Sequence, residues 1–177
     1  MESGDYILEL GLVSELVTWF SDLGVEPLKV AVRVAHSVHD RFEQWLAMPI
    51  EAIDNPPKIE ITTDQRRYRR GDRLHMIIAG GNLARAYIVD AYLAFAWPDK
   101  RIFFHDHSGV LREAKGPWIP LAKGIVLAKG IQFNNRSLMD LPLVDMPHGS
   151  YTCHLILTEP NTYKIITKAE TLFTLEP

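Results

Sequence analysis

At 177 residues the chain is long enough for one domain, or for one domain with a substantial appendage. Its 47% apolar and 23% charged residues fit an ordinary globular protein and exclude a disordered one. The single cysteine, Cys153, excludes an internal disulfide framework and a cysteine-rich zinc site. The net charge of −3 conceals a division: residues 1–57 hold three basic side chains (Lys29, Arg33, Arg41) against ten acidic, and the remainder holds sixteen basic against twelve acidic.

The chain begins Met1-Glu2-Ser3-Gly4-Asp5, acidic where a signal peptide is basic. The apolar stretch that follows, Ile7 to Leu23, contains Glu9, Glu15 and Asp22. Each of these costs roughly 2.5–3.5 kcal/mol at mid-bilayer, so no membrane span is expected. Leu12, Val13, Leu16, Val17, Phe20 and Leu23 recur at helical spacing and predict a first amphipathic helix that stops at Gly24. A second is predicted from Pro27 to Pro49, with Val30, Val34, Val38, Phe42, Trp45 and Leu46 on its apolar stripe. Leu28, Val30, Val32 and Val34 also alternate, so the start of that segment equally fits a strand. The expected architecture of residues 1–57 is thus a helical hairpin. Such a hairpin does not stand alone, because ordering about 35 residues costs roughly 1–2 kcal/mol each. A dozen large apolar side chains return only about 1.5–3 kcal/mol apiece. The stripe, with Phe20, Phe42 and Trp45 as its large aromatics, needs a covering surface on this chain or on a partner.

Asn55-Pro56-Pro57 marks a boundary, and residues 58–177 read as short alternating runs separated by turns, the pattern of an antiparallel β-sandwich. Strands are predicted near Lys58–Thr63, Arg73–Ala79, Ile88–Trp97, Arg101–His105, Leu121–Leu127, Ser150–Leu157 and Thr171–Leu175. Turn residues separate them at Gly71-Asp72, Gly80-Gly81-Asn82, Pro98-Asp99, Ser108-Gly109, Pro147-His148-Gly149 and Pro160-Asn161.

Tyr68-x-x-Gly71-Asp72-x-Leu74, Val89-Asp90-Ala91-Tyr92-Leu93 running into Trp97-Pro98-Asp99, and Leu143-x-x-Met146-Pro147-x-Gly149-x-Tyr151 resemble the immunoglobulin-like or fibronectin-III-like modules of bacterial multidomain surface proteins. Tyr151, two residues before Cys153, resembles the corner tyrosine of antibody-type domains, although the second cysteine of those domains is missing. The resemblance covers residues 58–177 only. It implies an immunoglobulin-like sandwich that serves as a spacer, adhesion or protein-binding module, extracellular or periplasmic.

Arg66, Arg67, Arg69, Arg70 and Arg73 form the densest charge cluster. A sequence pI near 6.2 and the lack of a nucleic-acid-binding motif argue against nucleic acid. The cluster reads first as a solvated loop, and its functional reading is contact with an acidic protein segment such as residues 1–57 of another copy. His105-Asp106-His107 has strand spacing suited to a shared ion but lacks a third ligand. His36, His39 and Asp40 fit the polar face of the second helix. Asp90 and Asp99 sit where turn and strand-edge acids sit, and no nucleophile elbow or zincin motif is present. The sequence therefore predicts a protein that is not an enzyme and uses no metal or cofactor. Its expected role is a protein-binding or assembly module that docks on another subunit, or another copy of itself, through Arg66, Arg67, Arg69 and Arg70 or through Phe20, Phe42 and Trp45. The alternative is a carbohydrate- or ligand-binding module with Trp97, Trp118 and Tyr163 near its strand ends.

Overall fold

The computed structural model describes residues 4–10, 13–14, 18–19, 28–34, 37–50 and 53–177. The protein is mainly β, with one helix among the described residues, and it divides into a unit at Met1–Ser37 and a unit at Val38–Pro177.

In the first unit β1 (Gly4–Leu10) pairs antiparallel with β4 (Leu28–Val34), and the two-residue strands β2 (Val13–Ser14) and β3 (Thr18–Trp19) pair with each other. The helical hairpin expected here is corrected accordingly. The described parts of its first helix are strand, and its second helix begins only at Val38. The alternation over Leu28–Val34 decides in favour of strand, because valines restricted at χ1 suit a pleated surface better than a helix. Register reinforces it by setting Tyr6 opposite Val32, Leu8 opposite Val30 and Leu10 opposite Leu28. Phe20 lies outside the described residues.

The second unit opens with α1 (Val38–Leu46), which buries Phe42, Trp45 and Leu46 at i, i+3 and i+4. Its last turn closes through the Ala47 N–H on the Glu43 carbonyl at 2.9 Å, and the Lys168 ammonium donates to the free Leu46 carbonyl. Pro49 prevents continuation.

Ten strands follow: β5 (Lys58–Thr63), β6 (Arg67–Arg69), β7 (Arg73–Asn82), β8 (Tyr87–Ala96), β9 (Ile102–His105), β10 (Leu111–Glu113), β11 (Ala122–Leu127), β12 (Ile131–Pro142), β13 (Gly149–Thr158) and β14 (Ile165–Glu176). One sheet runs β10-β9-β8-β13-β14-β6, with β11 on the first half of β8; the other runs β12-β7-β5. All the pairings are antiparallel except β14 with β6. The sheets share a core in which Leu93, Phe95, Tyr151, Cys153 and Phe173 of the larger meet Ile61, Leu74, Met76 and Met139 of the smaller.

β8 and β13 show why their sequences run apolar with little alternation. Val89, Ala91, Leu93 and Phe95 line the space between the sheets, whereas Tyr92 and Ala94 lie under α1 with Phe42, Trp45 and Phe104. A strand covered on both faces loses its polar row. At the corner of the larger sheet, the Tyr151 ring lies flat on Phe173, centroids 4.8 Å apart, and its hydroxyl donates to the Pro147 carbonyl. Among the described residues no helix is long and apolar enough to cross a membrane.

Candidate functional site

Two features of the second unit stand out, a basic sheet edge and a cavity between the sheets. The edge is β6, which lies beside the end of β14 with Tyr68 opposite Leu175. Arg66, Arg67, Arg69 and Arg70 are all exposed, and between them Tyr68 is 1% exposed, packed edge-on against Phe173 at 5.5 Å. The Tyr68 hydroxyl donates to Asp64 Oδ1 at 2.5 Å and accepts from the Gln65 N–H at 3.1 Å. Burial, aided by the bond to Asp64, pushes its pKa up to about 12. Burial acts to raise the Asp64 carboxyl, but the Tyr68 hydroxyl and the His75 N–H hold it below the usual range.

The turn after β6 is equally fixed. Gly71, at φ +93°, donates to the Leu143 carbonyl at 3.1 Å, and Leu143 donates back to Asp72 at 2.9 Å. Only a residue that tolerates positive φ fits there. Arg70 Nε reaches the Val144 carbonyl at 3.0 Å, Arg67 pairs loosely with Glu176 at 3.5 Å, and Arg73 is ion-paired to Asp140 at 2.9 Å. The structure thus brings Arg66, Arg67, Arg69 and Arg70 together in and beside β6 and takes Arg73 into a pair with Asp140.

Phe42 and Trp45 do not join that edge. They are 0% and 4% exposed under α1, with Trp45 stacked on Trp118 and its indole N–H on the Tyr163 carbonyl at 2.7 Å. Their expected role as partner-binding side chains is corrected by this burial, since the chain's own sheet covers them. Trp118 is half-buried against the same cluster and Trp97 is half-buried and stacked on Phe103 at 4.1 Å, whereas Tyr163 is exposed.

Asp106 closes the β9–β10 hairpin by accepting from the Ser108 N–H and hydroxyl at 2.9 and 2.6 Å, from the Val110 N–H at 3.1 Å and from Arg112. Those bonds hold its pKa well below the usual carboxylate range. His105 is pushed down by burial. Asp90 takes the N–H groups of Gly124 and Asn161, both at 2.8 Å, and Asp99 pairs with Arg101. Cys153 is fully buried and its thiol is pushed well above its ordinary value. Among the described residues no group of His, Cys, Asp or Glu side chains is placed to hold a metal ion.

The sequence reading missed the second feature. A cavity of about 280 Å³ lies between the sheets, walled by Val89, Leu127 and Leu157 on one side and Ile59, Ile78 and Phe133 on the other. Asn82 also lines it. Gly80-Gly81-Asn82, read from sequence as a turn, is instead the end of β7. The signal was present as a glycine and an asparagine continuing the alternation of Leu74, Met76 and Ile78.

No family model matches the chain, and neither does any curated protein. Among solved structures it is similar to the Pseudomonas fluorescens alkylpurine DNA glycosylase AlkC bound to DNA containing an abasic site analog, at 15% identity and a TM-score of 0.43. That likeness covers 71% of this chain and 32% of the other. It is also similar to the Bacillus subtilis sporulation control protein Spo0M, at 13% identity and a TM-score of 0.38, covering 69% of this chain and 50% of the other. The chain thus spans half or less of the length of either structure.

Proposed function

We propose that the chain is a non-catalytic accessory module that docks on an acidic protein surface through the edge formed by Arg66, Arg67, Arg69 and Arg70. The observation that carries this reading is the placing of four exposed arginines on a backbone anchored by the buried Tyr68 and its bond to Asp64. Side chains held by a fixed backbone lose less freedom on binding than those on a loose loop, so more of the electrostatic attraction remains as affinity. Arginine suits carboxylates because its planar fork meets both oxygens. The absence of catalysis is supported by the burial of Cys153 and by the commitment of Asp90, Asp99 and Asp106 to backbone or arginine partners.

We read the paired sheets as an immunoglobulin-like sandwich, supported by the Tyr151 hydroxyl on the Pro147 carbonyl four residues upstream. The acidic partner is either a second protein or residues 1–57 of another copy, where ten acidic side chains outnumber three basic ones. Native purification of the full chain, with mass spectrometry and light scattering, tests the reading against the double variant R66E/R69E. That pair leaves the Arg67–Glu176 and Arg70–Val144 contacts in place. A stoichiometric partner or a dimer, weakened at least tenfold by the variant and by raising salt, is expected. The same assembly formed equally well by the variant would sink the reading.

A further inference from the structure

We propose that the cavity between the two sheets binds a small neutral aliphatic molecule carrying one hydrogen-bond donor, a hydroxyl or an amide N–H. Its origin is legible in β7. The row of that strand that includes Leu74 and Met76, both 0% exposed, continues through Ile78 to Gly80 and Asn82. At Gly80 the space a Cβ would take is filled by the Lys58 carbonyl and the Phe133 ring, 2.5 and 3.0 Å from it, and the cavity lies beyond, with Asn82 and Gly81 in its lining.

Size and polarity set the class of guest. An apolar cavity of about 150 Å³ accepts a benzene ring. A volume of about 280 Å³ is nearly twice that, room for on the order of ten heavy atoms. The walls are almost wholly hydrocarbon, and the polar residues among them are Asn82 and, at the opening, Lys58 and Arg136. The Asn82 side chain is 1% exposed, and its Nδ2 is surrounded by the carbonyls of Arg85, Leu127 and Ala128, the last two at 2.8 and 3.3 Å. Three carbonyls fix the nitrogen on their side, and Oδ1 is left buried without a partner. An acceptor of this kind is costly unless something donates to it. Water fits poorly beside Asn82, since a buried water needs two to four polar partners and the neighbouring wall is hydrocarbon. A hydroxyl or amide N–H on an aliphatic chain satisfies Oδ1 and fills the remaining space with carbon. Lys58, Ile131 and Arg136 also line the cavity and are exposed, which places its opening at this end of the smaller sheet and disfavours a cationic head.

Calorimetric titration of the full chain with 1-hexanol, 1-octanol and 1-decanol tests the proposal. Affinity is expected to rise about fourfold per methylene as each leaves water, and to level off once the cavity is full. Methyl nonyl ether, with the heavy-atom count of 1-decanol but no donor, is expected to bind about tenfold more weakly. Ala91→Leu, which adds bulk to the wall at β8, is expected to weaken 1-decanol at least tenfold. Ile59→Phe, on the opposite sheet, serves the same purpose should the first variant fail to fold, and the melting temperature of each is measured alongside. R66E/R69E is expected to leave the affinity unchanged, separating this site from the basic edge. Undetectable binding, a flat chain-length series, or binding indifferent to folded cavity-filling variants overturns the site. Equal affinity for ether and alcohol overturns the role of Asn82. Tighter binding of decanoate than of 1-decanol overturns the neutral donor and moves the head to Lys58 and Arg136.

Discussion

Asp106 shows how a residue that reads as a ligand in sequence serves instead as a hairpin clasp. Flanked by His105 and His107 it has the spacing of a metal site, yet its two oxygens are taken by Ser108, Val110 and Arg112. Such bonds favour the ionised form, so the folded pKa lies below the unfolded value of about 3.9. The unfolded chain then takes up its proton first as the pH falls. The contribution of Asp106 to stability is therefore fully present above about pH 4 and is lost as the pH drops toward the folded value. Asp106→Asn keeps an acceptor for the two N–H groups but loses the charge facing Arg112. Its melting temperature is expected below that of the parent by a constant margin from pH 7 to about 5, with the margin shrinking below about 4. A margin unchanged at pH 3 would show that the carboxylate charge contributes nothing to the hairpin.

At the scale of the element, α1 makes the sharpest claim. Trp45 touches Phe42, Tyr92, Trp118 and Tyr163 within 6 Å and donates its N–H to the Tyr163 carbonyl. Trp45→Ala is expected to lower the unfolding free energy by about 3–5 kcal/mol in a urea titration, the range for emptying an aromatic site in a packed core. A loss under about 1 kcal/mol would mean that the helix does not cover the sheet in solution. The strands of the second unit were largely legible. Lys58–Thr63 appears with the bounds read from sequence, and the strands near Ile88–Trp97, Arg101–His105, Leu121–Leu127 and Ser150–Leu157 shift by a residue at most at either end. Others hid for physical reasons. β12 carries Asn134-Asn135-Arg136-Ser137 on an exposed edge, where no buried face imposes alternation, and β6 consists of arginines flanking one buried tyrosine. In β1 and β4 the residues alternate with period two, but their apolar positions also satisfy a helical count over so short a span. The basic edge could be read from composition alone. The cavity could not, because it depends on which residues of two distant strands face each other.

For the whole molecule, the question is where the independent unit begins. Sequence punctuation at Asn55-Pro56-Pro57 suggests a boundary there, and the structure begins its larger unit at Val38. The difference is α1. Cutting at residue 58 removes Phe42, Trp45 and Leu46 from a cluster that also holds Tyr92, Phe104, Ile156 and Ile165, and it exposes Trp118. Losing three large side chains from that face costs roughly 1.5–3 kcal/mol each in burial alone, a large part of the 5–15 kcal/mol that holds an ordinary domain together. Cutting at residue 38 removes none of the core residues among the described ones, since all of those lie at Val38 or later. Residues 38–177 produced alone are therefore expected to unfold in one cooperative transition. Residues 58–177 are expected to melt at least 10 °C lower and to bind a hydrophobic dye before melting. If the two pieces melted together, the helix would be an ornament on the sheet; if residues 38–177 failed to fold while the full chain folds, the first unit would be part of the same cooperative structure.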